Sequence, residues 1–179
     1  PLAAWTRKQA TLLRGWLGER GHRVAVRHAM RYGQPSLDSQ LDALVAEGVT
    51  RVLVMQAYPQ YSATTTASTI DAINAWQARQ RRQLELRFVN DYHDDAGYID
   101  ALARSVRTHW QHHGRPDQLL MSFHGIPARN IALGDPYQAQ CLRTARLLAE
   151  RLQLPDSAWR CTFQSRFGRA KWLEPYTEP

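Results

Sequence analysis

The sequence predicts an α/β fold, with parallel sheets and flanking helices. Three observations predict it. Segments with helical spacing of apolar residues alternate with short apolar runs along all 179 residues. The connections between them are short, which for parallel strands implies right-handed crossovers through the helices. The run inside residues 51–56, Val52-Leu53-Val54-Met55, is apolar without alternation, as expected of a strand covered on both faces.

Each element has its own signal. Residues 2–17 carry Trp5, Leu12, Leu13, Trp16 and Leu17 on one side of a helix, and Gly18 and Gly21 end it. Residues 23–28, Arg-Val-Ala-Val-Arg-His, alternate and read as a strand. After the turn Gly33 to Ser36, Ser36 is placed to cap a helix over 37–47 that carries Leu37, Leu41, Leu44 and Val45. Strand 51–56 leads through a polar loop to a helix over 66–81. Strand 84–89, helix 96–112, strand 118–123, helix 136–152 and strand 159–164 complete the series. Asp135-Pro136 supplies a cap and first-turn pair for the last helix. Gly114 to Asp117 reads as a link between two lobes. The chain opens on Pro1 with helical pattern at once and closes on a loop-like stretch from Trp172 to Pro179, so it reads as a piece of a longer polypeptide.

Composition narrows the function. No apolar run approaches the roughly 18 residues of a membrane span, and mean hydropathy is −0.51. Two cysteines, Cys141 and Cys161, are too few for a disulfide framework or a structural zinc site, which favours a reducing, cytoplasmic setting. Lys and Arg outnumber Asp and Glu by 23 to 16, a formal charge of +7. Only Lys8 and Lys171 are lysines, and the arginines are spread rather than gathered into a stripe, so nucleic acid is not the expected partner. Peripheral contact with an anionic bilayer is the better use of that charge. Dinucleotide and P-loop glycine signatures, His-Glu-x-x-His and Cys-x-x-Cys are all missing.

In a parallel α/β sheet the loops at the carboxyl ends of the strands form the ligand site. His124 ends the apolar run from Leu119 to Phe123 and is followed by Gly125, which admits close approach of a ligand. An imidazole at that edge can ligate a transition metal or accept a proton near neutral pH. Tyr58-Pro59-Gln60-Tyr61-Ser62 sets two tyrosines around a rigid pair, and the hydroxyls that open the next helix either hold an anion or cap the helix. Arg31-Tyr32 offers a guanidinium for a carboxylate and a ring for stacking. Arg166, Phe167, Arg169, Lys171 and Trp172 mix rings with cations, which suits a flat apolar ligand with acidic arms, nucleic-acid stacking, or simply a lobe-closing loop with exposed charges. His109, His112 and His113 read as a solvated helix end.

Ala29-Met30-Arg31-Tyr32-Gly33, Tyr58-Pro59-Gln60-Tyr61-Ser62, Thr65-Thr66-Ala67-Ser68, Ser122-Phe123-His124-Gly125-Ile126-Pro127, Leu133-Gly134-Asp135-Pro136-Tyr137 and the stretch from Thr162-Phe163-Gln164-Ser165-Arg166 to Trp172-Leu173-Glu174-Pro175 together resemble ferrochelatases of the proteobacterial form. The resemblance runs in order along essentially the whole chain. It implies an α/β fold of Rossmann-like parallel sheets with flanking helices, as parts of two chelatase-type lobes: residues 1–115 as the carboxyl-terminal part of the first Rossmann-like lobe, 116–179 as the start of the second. It implies insertion of Fe²⁺ into protoporphyrin IX to form protoheme, with iron as substrate and no tightly bound cofactor. His124 would be the iron-site and proton-accepting residue. Arg31, Tyr32, Tyr58, Gln60, Tyr61, Ser62 and Trp172 would contact the porphyrin. A cytoplasmic protein, peripheral at the inner membrane, is the implied setting.

Two departures bear on this. The family pairs the His with a Glu in a motif beyond the Trp-Leu-x-Pro segment, and this chain ends before it, so the 179 residues alone are expected to be a poor chelatase. Ala63 stands where animal-type members carry a cluster-ligating Cys, so no iron–sulfur cluster of that type is expected. Other readings are a non-catalytic porphyrin- or heme-binding module and a coproporphyrin-using chelatase, since the sequence does not separate two from four carboxylate arms on the ring.

Overall fold

A computed structural model describes residues 2–178. In chain order the elements are α1 (Leu2–Glu19), α2 (Leu37–Ala46), β1 (Arg51–Met55), a π-helical turn (Ala63–Ala67), α3 (Ser68–Ala78), β2 (Glu85–Val89), α4 (Ala96–His113), β3 (Leu119–His124), α5 (Ala128–Ala132), α6 (Tyr137–Leu152) and β4 (Trp159–Gln164). The mixed α/β class with parallel pairing is as the sequence predicts. Packing divides the chain into two units. One runs up to Ala57 and resumes from Ala67 to Val89; the other takes Tyr58–Thr66 and everything from Asn90. The lobe boundary expected at 115/116 does not coincide with this division.

In the first unit β1 and β2 pair in parallel, Arg51 opposite Glu85 through Met55 opposite Val89. Leu41, Ile73, Trp76 and Leu84 form its buried core, with Val52, Val54, Leu86 and Phe88 against them. The Trp76 indole N–H donates to Asp42 Oδ1 at 2.9 Å, which ties α3 to α2. Ser36 caps α2 as expected, its hydroxyl accepting from Ser39 N–H at 3.2 Å.

Three expectations are corrected in this unit. Residues 23–28 form no strand. A strand needs a neighbour for its backbone groups, and this segment has none among the described residues; instead the Val26 carbonyl accepts from the Arg14 guanidinium and Arg27 pairs with Glu47. β1 is covered on one face only: Val52 and Val54 point inward, whereas Leu53 is 66% exposed and Met55 is also open. The helix expected over 66–81 begins as the π-helical turn and ends at Ala78. α1 forms as predicted, but none of its residues is buried, and Trp5, Leu12 and Trp16 stand exposed.

In the second unit β3 and β4 pair in parallel, Leu119 opposite Trp159 through His124 opposite Gln164. α4 and α6 cover the same face, burying Ala103, Met121, Cys141, Ala145, Leu148 and Phe163. The two-residue period of a strand then dictates which side chains face away. Met121 and Phe123 point toward the helices, while Leu120, Ser122 and His124 stand exposed on the other face. The closing stretch is not a free loop. Phe163 N–H donates to Pro175 O at 2.8 Å and Thr177 N–H to Phe163 O at 2.9 Å, which lays residues 175–177 along β4. No helix among the described residues is long and apolar enough to cross a membrane.

Candidate functional site

His124 is the last residue of β3, on the exposed face, at the carboxyl end of a parallel strand. Its Nδ1 lies 2.7 Å from the Gly125 carbonyl oxygen. A carbonyl only accepts, so Nδ1 is the protonated nitrogen of the neutral ring. The lone pair is therefore left on Nε2. This is the arrangement in which an imidazole serves as ligand or base, one nitrogen held by a backbone carbonyl and the other free to react. The His124 carbonyl in turn accepts from the Tyr137 hydroxyl at 2.9 Å. Burial pushes the Tyr137 phenol well above its usual range, with the Cys141 thiol as a further contributor, so it stays a donor at working pH.

The turn after His124 is held from below. Gly125 N–H donates to Gln164 O at 2.7 Å. A Cβ at residue 125 would lie 3.0 Å from that same oxygen and 3.3 Å from the Trp172 ring, so only glycine fits without displacement. Trp172 is 6% exposed, and its indole N–H donates to Phe167 O at 2.9 Å. Two backbone bonds, Leu173 N–H to Ile126 O and Ala128 N–H to Lys171 O, fasten its segment to the residues after Gly125. Trp172 thus braces the His124–Gly125 turn. The Phe167 ring, 4.7 Å from the Trp172 ring between centroids, is the exposed aromatic of this stretch.

The Tyr58–Ser62 loop belongs to the same packed unit as His124, although more than sixty residues separate them. Its polar residues face inward. Gln60, 7% exposed, donates from Nε2 to Thr144 Oγ1 at 3.0 Å. Tyr61 N–H donates to Gln140 Oε1 at 2.6 Å. Ser62, 1% exposed, donates its hydroxyl to Asp135 Oδ2 at 2.9 Å, and Ala63 N–H donates to the same oxygen at 2.8 Å. The turn that the sequence offered either to an anion or to a cap does both jobs internally: Ser62 Oγ accepts from Thr64 N–H, and the anion is the protein's own Asp135 carboxylate. Gln60 and Ser62 are thereby spent on holding the loop, and Tyr58 is its exposed ring.

Arg31 and Tyr32 lie in the first unit. Arg31 Nε donates to Ser68 O at 2.9 Å and to Ser68 Oγ at 3.1 Å, and the Tyr32 hydroxyl shares that Oγ at 3.1 Å. The guanidinium stacks over the Tyr32 ring, 4.5 Å from its centroid. Tyr32 is 78% exposed, so the pair presents a cation beside an open ring.

The sequence offers Asp135 as a helix cap and sets it with Tyr137 in the Leu133–Tyr137 motif, but assigns neither a partner in the loop or at His124, and it gives Gln140 and Thr144 no role. The cap is real, since Asp135 Oδ1 accepts from Tyr137 N–H at 3.0 Å. The long-range partners of these residues carry no local signal. His109 and His113 stack at 4.4 Å between centroids at the end of α4, the helix terminus the sequence indicated. Among the described residues no group of three or more His, Cys, Asp or Glu side chains comes together to hold a metal ion.

The ferrochelatase family model matches residues 1–179. The chain belongs to the ferrochelatase family. It is 64% identical to a ferrochelatase of Polaromonas sp. and 64% identical to one of Methylibium petroleiphilum, in each case over all of this chain and 49% of the relative. A ferrochelatase of Janthinobacterium sp. is 56% identical over the same share. The chain thus spans about half the length of the curated ferrochelatases it matches. A solved structure of SirB from Bacillus subtilis with Fe³⁺ superposes with a TM-score of 0.63, covering 93% of this chain and 62% of that one at 15% identity; this likeness speaks to the fold.

Proposed function

We propose that this chain supplies the His124 half of a ferrochelatase, which inserts Fe²⁺ into protoporphyrin IX to form protoheme. Two protons must leave the pyrrole nitrogens for each iron that enters, so the balance is porphyrin plus Fe²⁺ giving iron porphyrin plus two H⁺. His124 Nε2 takes a pyrrole proton and passes it to solvent, or presents the iron to the ring face. Tyr58 and Tyr61 offer rings that suit a porphyrin face, and Arg31, beside the open Tyr32 ring, offers a guanidinium that suits a propionate arm. Binding energy from these remote contacts bends the ring and brings its nitrogens within reach. Trp172 contributes through the turn it braces, and Gln60 and Ser62 through the loop they anchor. Work in the cytoplasm, at the periphery of the inner membrane, belongs to the same proposal, and the charge of +7 suits an anionic surface.

The observation that carries the reading is the committed Nδ1 of His124, which leaves Nε2 as the reactive nitrogen at the carboxyl edge of a parallel strand. The test is a chimera. The Polaromonas ferrochelatase, with its matching half replaced by this chain, is assayed for ferrous insertion into protoporphyrin IX beside the 179 residues alone. Turnover within about tenfold of the parent, with the isolated chain at least a hundredfold slower, is expected. A folded chimera without turnover, or an isolated chain that equals the parent, contradicts the proposal.

A further inference from the structure

Two pieces of the candidate site hang from one stretch of helix. Asp135 Oδ2 holds Ser62 and Ala63, Gln140 Oε1 holds the Tyr61 amide, and Thr144 Oγ1 holds Gln60. These acceptors lie just before α6 and along its first two turns, so four consecutive residues, Gln60 to Ala63, are fixed to one stretch of chain. Between them, at the first residue of α6, Tyr137 reaches the His124 carbonyl. Asp135 and Tyr137 are joined directly, through Oδ1 and the Tyr137 amide. All of this lies within one packed unit.

We propose that Asp135 and Tyr137 are positioning residues of this chelatase site, Asp135 setting the tyrosine loop and Tyr137 setting the His124 imidazole, so that the start of α6 keeps the two in register. The inference rests on the ferrochelatase reading of His124 and the tyrosine loop. Asp135 acts by geometry and charge together. Its two oxygens accept three donors, and Asn, of the same shape, has one acceptor oxygen and turns an N–H₂ toward donors at the other. Tyr137 acts on the peptide plane between His124 and Gly125. The Gly125 N–H of the same plane is held by Gln164 O, so Tyr137 and Gln164 fasten its two ends. The carbonyl that holds Nδ1–H belongs to the next plane, across the Gly125 Cα; loss of the Tyr137 bond loosens this anchor, weakens the Nδ1–H bond and lets the ring sample the other tautomer.

The test uses Asp135→Asn, Tyr137→Phe and His124→Ala. Histidine ¹⁵N spectra of the chain at a pH where its imidazoles are neutral assign the ring of residue 124, with His124→Ala identifying its signals. The wild-type ring is expected in the single tautomer protonated at Nδ1, and Tyr137→Phe is expected to add a second, Nε2-protonated population. In the chimera, Tyr137→Phe is expected to lower kcat roughly tenfold with KM for protoporphyrin little changed. Asp135→Asn is expected to raise that KM roughly tenfold with a smaller effect on kcat. Should Asp135→Asn fail to fold, Ser62→Ala removes one of its three donors and is expected to raise KM in the same direction. A merely structural role would lower Tm and leave both the tautomer and the split between KM and kcat where they were. Folded variants with one tautomer and with kinetics within twofold of wild type overturn the proposal. Full turnover in His124→Ala would instead overturn the functional reading and leave the tautomer result standing.

Discussion

Gly125 illustrates how little room the site leaves. Alanine there would bring Cβ against the Gln164 carbonyl and the Trp172 ring, and neither yields easily because one is backbone and the other is buried. Gly125→Ala is expected to cost about 1–3 kcal/mol of stability, read as a lower urea midpoint with an unchanged m-value. A midpoint equal to wild type would mean that the turn relaxes freely. Gln56 illustrates the opposite case. It is 5% exposed, and both amide atoms are buried without a hydrogen-bond partner among the described residues. Replacing a buried unpaired amide by an apolar side chain of similar size removes a desolvation cost of about 1–3 kcal/mol. Gln56→Leu is therefore expected to raise Tm, and a fall in Tm would show that the amide is satisfied. At this scale the sequence was informative for His124, whose place at a strand end follows from the run before it. It was silent on Gln60, Ser62 and Trp172 as anchors, because their partners Thr144, Asp135 and the Gly125 turn lie dozens of residues away or depend on packing.

Helix and strand periods place most elements to within a residue or two, because those segments bury one face on their own unit's core; α1 is the exception, placed by its pattern although it buries no residue. The segment 23–28 shows where period alone fails. Its alternation is genuine, yet no neighbouring strand receives its backbone, so Val24 stays exposed. β1 fails differently: its apolar run predicts burial on both faces, and the structure covers one. The loop from Tyr58 to Thr66 could not be assigned to its unit from sequence, because what holds it is α6, about eighty residues downstream. The caps at Ser36 and Asp135, being local, are legible in the sequence, and the structure adds one at Asp95. Asp95 accepts from Tyr98 N–H at 2.9 Å at the start of α4. Asp95→Ala is expected to cost about 1 kcal/mol, measured by chemical denaturation. No loss would mean that packing of α4 on α6 alone fixes that helix start.

For the molecule as a whole, the buried thiols set an alkaline limit. Burial raises Cys141 from an ordinary 9.0 to about 12, and Cys161 to about 11. Above pH 9 the unfolded chain gives up these protons while the folded chain keeps them. The unfolded state then binds fewer protons, so stability falls as pH rises. The contribution is complete below pH 9 and is lost between about 9 and 12. For Cys141 the slope is about 1.4 kcal/mol per pH unit. Tm is expected to drop steadily from pH 9 to 11, and less steeply in Cys141→Ala. A flat profile would mean that these thiols ionise in the folded state. Family and overall class were legible at this scale because the motifs run in order along the chain. The chain nevertheless spans half of its relatives' length, and the share of the chemistry carried by the other half is not written in these 179 residues.

The proposed ferrochelatase role puts one imidazole, His124 with Nε2 free, at the step that lets iron into the ring. The direct measurement is kcat for ferrous insertion by the Polaromonas chimera carrying His124→Ala, at saturating protoporphyrin IX and with porphyrin binding followed by its absorbance shift. Loss of at least a hundredfold in kcat with porphyrin binding retained is the expected result. A kcat within threefold of the unmodified chimera would contradict the account.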